Sequence, residues 1–418
     1  MSAAPAIHID DLAAPRLPGW LRAANRLGRP VASRIRLDED SLRAAAQRAS
    51  GLSDFGDASF REPLRALLRS LECDARLSPF GRVATRGLLV QLLTSRLRIE
   101  DLIARHPEIL REEIVRPIVI AGLPRTGTTH LHNLVSQAPE LRSLPYWESL
   151  EPVPPPRDRV APGAPDPRIA RCAKGLALMH RVVPLFPLMH EMTPEARHEE
   201  IQLLALQFST MLFESSYRVP GYRDWYKAAD QRPAYAYLRR CLQALQWLRG
   251  PRRWVLKSPQ HLEQIGPLLE TFPDARVVQT HRDPVRITAS LCTMIAYGMR
   301  MNAARVDPHE VGAIWSARVE DLLRGSVEQR HLLPPGQVMD VHFQEFMKDD
   351  LATVQKVFEF AGQPWTEAAD RAIRAYLDAS PRGRHGQIDY RLEDVGLDAA
   401  ERRRALRFYQ ERFGVTSE

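Results

Sequence analysis

Apolar residues along this chain of 418 residues follow two spacings, and the change from one to the other divides the sequence. Between about residues 38 and 113, leucines recur at intervals of three and four, as in segment 64–71, which is the period of one helix face. From Ile118 onward, short runs of consecutive apolar residues alternate with helical spacing. We therefore predict a helical N-terminal extension over residues 1–113 and an α/β domain over residues 114–418.

Four apolar runs have the composition of buried strands. They begin at Ile118, Arg253, Ala275 and Val338, and an amphipathic segment follows each of them. A strand that is apolar on both faces belongs in a parallel sheet that helices cover on both sides. The pattern predicts a three-layer α/β/α fold with a parallel central sheet, whose binding residues gather where the strands end.

The predicted α/β domain is interrupted after its first strand. Residues 151–167 contain seven prolines, which favours a loop. Residues 168–250 have helical spacing and many methionine and aromatic residues, and we interpret them as a helical insertion on the substrate side. Most of these apolar side chains are expected in the core, and some are candidates to line an apolar acceptor pocket.

Composition excludes several classes of protein. The net charge of +7 comes almost entirely from dispersed arginines, because only five of the basic residues are lysine, and this argues against a nucleic-acid-binding face. The four cysteines form no C-x-x-C pair, so neither a zinc site nor a disulfide framework is expected, and we expect no metal. Without a signal peptide or a long apolar run, the expectation is a cytoplasmic protein with no transmembrane segment. A homo-oligomer is compatible with the sequence.

The segment that follows the first strand has the spacing of a phosphate-binding loop. Gly122 and Gly127 match the two glycines of G-x-x-x-x-G-K-[ST], and Thr129 matches the final hydroxyl. Thr128 occupies the position of the lysine that reaches the β- and γ-phosphates in nucleotide triphosphatases. The loop is therefore predicted to bind phosphate without transferring a phosphoryl group from a triphosphate.

The same loop provides hydrogen-bond donors for an anion. Main-chain N–H groups at a helix N-terminus form an anion nest, and Gly127 permits close approach of the backbone. Hydroxyls of Thr126, Thr128 and Thr129 add donors, and Arg125 supplies the nearest positive charge. These residues are the first set of candidate cofactor ligands.

Two further motifs follow in the chain. Arg282 lies at the end of the run that begins at Ala275, with Ser290 eight residues later, so that a guanidinium and a hydroxyl can converge on a second anion. The segment 341–347, Val-His-Phe-Gln-Glu-Phe-Met, leads into a predicted helix. In this order the three motifs resemble the sulfotransferases that use 3′-phosphoadenosine-5′-phosphosulfate (PAPS), across about residues 110–415.

The resemblance implies a P-loop-like sulfotransferase fold and assigns roles to several residues. Arg282 and Ser290 correspond to the pair that binds the 3′-phosphate, and Arg125 to the cation beside the bridging oxygen of PAPS. Lys257 is similar to an active-site lysine of carbohydrate sulfotransferases. A basic loop near the C-terminus closes over the 3′-phosphate in relatives, and Arg382, Arg384 and His385 are the matching candidates here.

The general base has three candidates. Glu148, 23 residues after Arg125, matches in position the glutamate that deprotonates the acceptor in some relatives. We expect its pKa to be raised in an apolar pocket beside Trp147. His261 is the second candidate. The third is His198 together with Glu200, on a predicted helix that faces the pocket. Trp147 and His198 are also candidate substrate contacts.

The resemblance implies transfer of a sulfuryl group from PAPS to an acceptor hydroxyl, by in-line displacement with a general base. The product nucleotide is 3′-phosphoadenosine-5′-phosphate (PAP). The acceptor is a small molecule, a lipid or a carbohydrate. Two alternatives stay open at this point: a P-loop kinase with a nonstandard loop, and a catalytically inactive nucleotide-binding protein.

Overall fold

The computed structural model describes residues 6–158, 164–380 and 388–418. Its strands are, in chain order, β1 (Ile7–His8), β2 (Ile118–Ala121), β3 (Leu141–Arg142), β4 (Leu144–Pro145), β5 (Arg197–His198), β6 (Arg253–Lys257), β7 (Arg276–His281), β8 (Val338–His342) and β9 (Ile388–Asp389). Five of them form the central sheet in the order β3-β6-β2-β7-β8, and every pairing in that sheet is parallel. Strands β1 and β9 pair with each other, and β4 pairs with β5.

Helices surround this sheet. They are α1 (Gly19–Gly28), α2 (Glu39–Ser50), α3 (Arg61–Cys73), α4 (Pro79–Arg105), α5 (Thr128–Val135), α6 (Tyr146–Leu150), α7 (Pro167–Val182), α8 (Phe186–Met189), α9 (Ile201–Leu204), α10 (Leu212–Ser216), α11 (Pro220–Ala228), α12 (Arg232–Arg249), α13 (Ile265–Thr271), α14 (Pro284–Met299), α15 (Pro308–Gln329), α16 (Phe343–Lys348), α17 (Asp350–Ala361), α18 (Glu367–Ala379), α19 (Ala399–Ala405) and α20 (Arg407–Phe413). Short 3₁₀ turns occupy Arg29–Arg34, Ala58–Phe60, Pro107–Arg111, Ala205–Gln207, Pro259–Glu263, Arg330–Leu332 and Glu393–Val395.

Local sequence signals explain where the longer helices begin. The hydroxyl of Ser78 accepts the N–H of Gly81, and Pro79 is the first residue of α4. The carboxylate of Asp283 caps α14 in the same way by accepting the N–H of Val285. A polar cap followed by proline satisfies one free N–H and fixes the first helical φ, which is why each helix starts there.

The predicted parallel sheet with helices on both faces is confirmed, and the four predicted strands are present within two residues of their expected bounds. Strand β3 was not predicted, because its two residues are too few to form an apolar run. The predicted helical character of residues 38–113 is also correct, whereas α1 begins earlier, at Gly19.

The apolar core does not stop at the end of the N-terminal helices. One contiguous cluster contains Leu64 of α3, Leu93 of α4, Tyr235 of α12 and Leu291 of α14. Aromatic residues of the insertion, such as Phe213, are fully buried in the same cluster. Most of these aromatic side chains therefore belong to the core. The division of the chain at residue 113 stays a prediction.

Candidate functional site

The carboxyl ends of three neighbouring strands converge at one edge of the sheet. Ile120 of β2 pairs with Lys257, the last residue of β6, and Ala121 pairs with Gln279 near the end of β7. The loop from Gly122 to Gly127 leaves this edge and enters α5. The fold therefore brings the phosphate loop, Lys257 and the residues that follow β7 to the same edge, as expected for ligand binding in an open parallel sheet.

The backbone of the loop has an unusual conformation at two positions. Gly127 has φ +87°, and a Cβ there would lie 3.3 Å from the rings of Phe343 and Phe346. Arg125 has φ +73°, in the left-handed region that non-glycine residues rarely adopt. Its guanidinium donates a hydrogen bond of 2.8 Å to the carbonyl oxygen of Met189. The side chain of Arg125 is therefore held over the loop by the neighbouring segment.

The hydroxyl of Thr126 does not serve as expected. It donates to the carbonyl oxygen of Leu123 at 2.7 Å and lies 2.6 Å from the hydroxyl of Thr280, and the side chain is buried. A Cβ on Gly122 would lie 2.0 Å from the same Thr280 hydroxyl. The hydroxyls of Thr126 and Thr280 therefore fasten the loop to β7, and the prediction that the Thr126 side chain offers a free donor is corrected.

A cavity of about 390 Å³, which we call the loop cavity, opens beside the loop. The loop and α5 contribute Arg125, Gly127, Thr128, Thr129 and Asn133 to its wall. The opposite wall comes from the segment around α8 and from the residue that follows β5, namely Leu188, Met189, His190, Glu191 and Glu199. Arg282 and Phe343 complete the lining together with residues of α14 and α18.

Lys257 connects the two walls of the loop cavity. Its ammonium group donates to the hydroxyl of Thr129 at 3.2 Å and lies 2.6 Å from a carboxylate oxygen of Glu199. The lysine side chain is only 3% exposed, so its charge is held at this position and is not free to move into solvent. The buried ammonium group of Lys257 therefore contacts both a hydroxyl and a carboxylate that line the cavity.

The imidazole of His190 lies on the same cavity. Burial, reinforced by the positive charges of Lys257 and Arg125, lowers the pKa of His190 to about 4. The ring is therefore neutral at pH 7. It places an uncharged hydrogen-bonding group beside the loop.

His261 lies in a buried network beneath the lysine. One ring nitrogen is 2.7 Å from the hydroxyl of Tyr235, and the other contacts the carboxylate of Glu200. Glu200 also accepts the main-chain N–H of Lys257 at 2.8 Å. Burial alone would raise the pKa of Glu200, but the hydrogen bonds from His261 and Lys257 hold it below its usual value. Both nitrogens of His261 are thus engaged in fixing the end of β6.

A second, smaller cavity of about 230 Å³ lies next to the loop cavity. It is lined by Arg125, Leu188, Arg282, Arg286, Ser290, Ile388 and Tyr390, and we call it the arginine–serine cavity. The hydroxyl of Ser290 is buried and has no hydrogen-bond partner among the described residues. Three guanidinium groups and one unpartnered hydroxyl therefore face a common space.

Arg282 stands between the two cavities. It donates to the carbonyl oxygen of Arg125 at 3.0 Å, lies 3.9 Å from the centre of the Phe343 ring, and forms a two-point ion pair with Glu418. Arg382, Arg384 and His385 are the other candidates for this end of a cofactor. They lie within residues 381–387, outside the described residues.

Glu148 occupies a different environment from the expected apolar pocket. One carboxylate oxygen accepts from Arg142 at 2.8 Å and the other from Arg249 at 2.9 Å, so the carboxylate is buried between two cations. It lines a cleft of about 320 Å³, which we call the arginine cleft because Arg142, Arg249, Arg197 and Arg252 all line it. Glu148 is therefore a charge partner of arginines, which corrects the expected environment.

Trp147 lines the arginine cleft as well, with the guanidinium of Arg168 4.6 Å from its ring centre. His198 lies in β5, not on a helix, and its ring centre is 4.5 Å from that of Tyr146. Burial and the nearby charge of Lys257 hold the pKa of His198 well below its usual value. The two predicted substrate contacts thus lie on neighbouring elements, α6 and β5, and His198 is near enough to Lys257 for the lysine charge to act on its ring.

The parallel sheet, the loop at the N-terminus of α5 and the two adjoining cavities define an α/β protein of the phosphate-loop type that is built to bind an anionic cofactor at its strand ends. The sequence profile of the sulfotransferase family matches residues 117–367, more than half of the chain. The chain therefore belongs to the sulfotransferase family, and the expected activity, transfer of a sulfuryl group, is that of this family.

Two solved structures of bacterial sulfotransferases are similar over almost their whole length. STF1 from Mycobacterium tuberculosis H37Rv is 30% identical, with 88% of this chain and 98% of that chain covered and a TM-score of 0.78. STF9 from Mycobacterium avium is 27% identical, with 92% and 98% covered and a TM-score of 0.82. No match is found among curated protein sequences. Both structures support the fold and the family.

Three residues of the site were not identified from the sequence. Arg286 lies in α14 four residues before Ser290, and this spacing on one helix face was a readable signal. Glu199 and His190 had no comparable signal. They reach the loop cavity only because the segment between α8 and α9 packs against the end of β6.

Across the ranges that the structure describes, no helix is long and apolar enough to cross a membrane.

Proposed function

We propose that this sulfotransferase uses PAPS as its donor and transfers the sulfuryl group to an acceptor hydroxyl in the loop cavity. The observation that carries the proposal is the contact of Lys257 with both Thr129 and Glu199. A cation, a phosphate-loop hydroxyl and a carboxylate meet there within hydrogen-bonding distance. Sulfuryl transfer requires all three groups. The cation stabilises charge on the leaving phosphate, the hydroxyl binds the donor, and the carboxylate removes the proton of the acceptor.

The arginine–serine cavity fits the 3′-phosphate of such a donor. Its lining includes the positively charged Arg282 and Arg286, which can bind a dianion. It also includes the unpartnered hydroxyl of Ser290, which can donate a hydrogen bond to a phosphate oxygen. A buried hydroxyl without a partner costs free energy, and a phosphate oxygen would recover that cost. Arginine suits this role because its planar fork binds phosphate oxygens in pairs.

The phosphate loop fits the 5′ end of the donor. Main-chain N–H groups after Gly127 point out of the first turn of α5, where the helix dipole favours an anion. The hydroxyls of Thr128 and Thr129 and the guanidinium of Arg125 lie on the same wall of the loop cavity. Arg125 therefore provides the positive charge that Thr128 cannot supply in place of the usual lysine.

Glu199 is our candidate for the general base. When the acceptor oxygen bonds to sulfur, the bond from sulfur to the 5′-phosphate oxygen breaks and the hydroxyl proton passes to the Glu199 carboxylate. The products are a sulfate ester and PAP. The ammonium group of Lys257 stabilises negative charge on the departing oxygen, and such fixed charges contribute much of the rate in transfer reactions. Glu148, His261 and the pair of His198 and Glu200 stay predictions for this role that the observed contacts do not favour.

A turnover assay tests this proposal. The protein is incubated with PAPS and a panel of phenols, sterols, aliphatic alcohols and sugars, and both PAP and sulfated products are measured by mass spectrometry. We expect PAP and sulfate ester to appear in equal amounts for at least one class of acceptor. PAPS that stays intact with every class would contradict the proposal.

A further inference from the structure

The arginine cleft has more positive charge than its own carboxylate neutralises. Four arginines line it against one acidic side chain, Glu148. Glu148 contacts Arg142 and Arg249, and Arg249 also contacts Asp166. The guanidinium groups of Arg197 and Arg252 make no hydrogen bond or ion pair with any residue that the structure describes, although Arg197 is half-buried and the Glu195 carboxylate acts on its charge. Two guanidinium groups are therefore available to an anion.

Two buried hydroxyls on the same cleft indicate a ligand independently of the charges. The hydroxyls of Ser136 and Ser143 lie on residues that are 6% and 5% exposed, and neither finds a hydrogen-bond partner in the described part of the chain. A buried hydroxyl usually bonds to protein or to a bound group, because an unsatisfied one is costly. Guanidinium and hydroxyl donors together suit a tetrahedral dianion such as a phosphate ester.

The arginine cleft lies along the same face of α5 as the phosphate loop. Thr129, Asn133 and Ser136 are spaced by four and three residues and so form one stripe on that face. Thr129 and Asn133 line the loop cavity, and Ser136 lines the arginine cleft. The helical rise separates the first and last residues of the stripe by about 10 Å.

The strand opposite follows the same course. Arg197 in β5 lines the arginine cleft, and Glu199, two residues later, lines the loop cavity, where it contacts Lys257. Helix α5 and strand β5, each with the residue that follows it, therefore contribute to both the loop cavity and the arginine cleft.

We propose that the arginine cleft binds an anionic group of the acceptor, so that the substrate is an alcohol with a phosphate-type dianion about 10 Å from the hydroxyl that is sulfated. This assignment of the substrate class rests on the proposed function. Arg197 and Arg252, with the hydroxyls of Ser136 and Ser143, hold the anion. Glu148 holds Arg142 and Arg249 in place and offsets part of the positive charge of the cleft.

The test uses a hydroxyalkyl phosphate whose chain spans about 10 Å, the matching diol, and inorganic phosphate. Each is titrated by calorimetry into protein saturated with PAP. We expect the hydroxyalkyl phosphate to bind at least about tenfold more tightly than the diol, since each charge-assisted hydrogen bond contributes on that scale. Arg197→Gln combined with Arg252→Gln should abolish the difference, whereas Arg232→Gln, at the far end of α12, should preserve it. Ser136→Ala combined with Ser143→Ala should weaken binding of the phosphate without lowering thermal stability.

Several results would overturn the assignment. The cleft is not an anion site if the diol and the hydroxyalkyl phosphate bind with equal affinity, or if the double arginine variant keeps the affinity of the unchanged protein. The anion does not belong to the acceptor if inorganic phosphate binds as tightly as the hydroxyalkyl phosphate. The same conclusion follows if PAPS yields no sulfated product at any chain length. Failure of PAP to bind contradicts the proposed function separately, because the same titration without PAP still reports on the cleft.

Discussion

The guanidinium of Arg282 donates a hydrogen bond of 3.0 Å to the main-chain carbonyl oxygen of Arg125. The sequence separates the two arginines by 157 positions, yet this contact joins the phosphate loop to the start of α14. Arg282, like Arg125 and Leu188, lines both cavities, so a ligand that fills both would contact it. Changing Arg282 should therefore weaken nucleotide binding.

Arg282→Ala should weaken binding of PAP by about a hundredfold, because it removes a two-point charged contact of roughly 2–3 kcal/mol and leaves the loop less fixed. Isothermal calorimetry with PAP measures the change. Arg324→Ala is a suitable control, since Arg324 pairs with Glu320 on the exposed side of α15. Equal affinity of the Arg282 variant and the control for PAP would exclude the proposed 3′-phosphate site.

Ser290→Ala should change stability and binding in opposite directions. The free energy of unfolding should stay equal or rise, because the hydroxyl is buried and finds no partner among the residues that the structure describes. The affinity for PAP should fall by about tenfold through loss of one hydrogen bond to a charged group. Urea unfolding and calorimetry measure the two quantities. A variant that loses stability and keeps its affinity would assign Ser290 a purely structural role.

Glu199→Gln should retain PAP binding and lower kcat by about a hundredfold or more, as expected for loss of a general base. Turnover of PAPS with an acceptor found in the panel, together with calorimetry, separates the two effects. Full activity of Glu199→Gln would contradict its role as base.

Glu148→Gln provides the contrast to that variant. It removes the charge that lies between Arg142 and Arg249, so the free energy of unfolding should fall by about 3 kcal/mol. Thermal unfolding measures this loss, and kcat of the folded protein should change much less than in Glu199→Gln. A stable Glu148→Gln protein that has lost turnover would return the role of base to Glu148.

Acid should destabilise the protein through its buried histidines. Burial lowers the pKa of His132 to about 3, and the ring contacts the carbonyl oxygen of Val255. Between the ordinary value of about 6.5 and 3, the unfolded chain takes up a proton at this position and the folded chain does not, so stability falls as pH falls. From pH 7 to pH 5 the contribution of His132 is about 2 kcal/mol. Urea unfolding at pH 7 and pH 5 measures how much the free energy of unfolding falls. This fall should be smaller by about 2 kcal/mol in His132→Gln than in the unchanged protein. An equal fall in both proteins would contradict the assignment.

The parts of the site that are continuous in sequence were predictable. The glycine spacing of the loop, the cation at Arg125 and the strand end at Arg282 are local patterns, because strand, loop and helix follow one another within a few residues. Apolar runs likewise predicted the parallel sheet, since strands buried on both faces have few polar residues.

The ionic contacts of the site were not predictable in this way. Lys257 and Glu199 are 58 positions apart, and Arg249 is 101 positions from Glu148. Which carboxylate meets which cation depends on how the segments between β4 and β6 pack, and spacing along the chain does not report that. Position relative to Arg125 therefore indicated Glu148, whereas the folded chain presents Glu199 to the loop cavity.

The most direct measurement of the central claim compares two nucleotides. Thermal unfolding is followed with PAP and, separately, with ATP and Mg²⁺. The proposed donor site predicts a rise in the unfolding temperature with PAP that Arg282→Ala abolishes, and little change with ATP and Mg²⁺. A rise with ATP and Mg²⁺ alone, and none with PAP, would contradict the account.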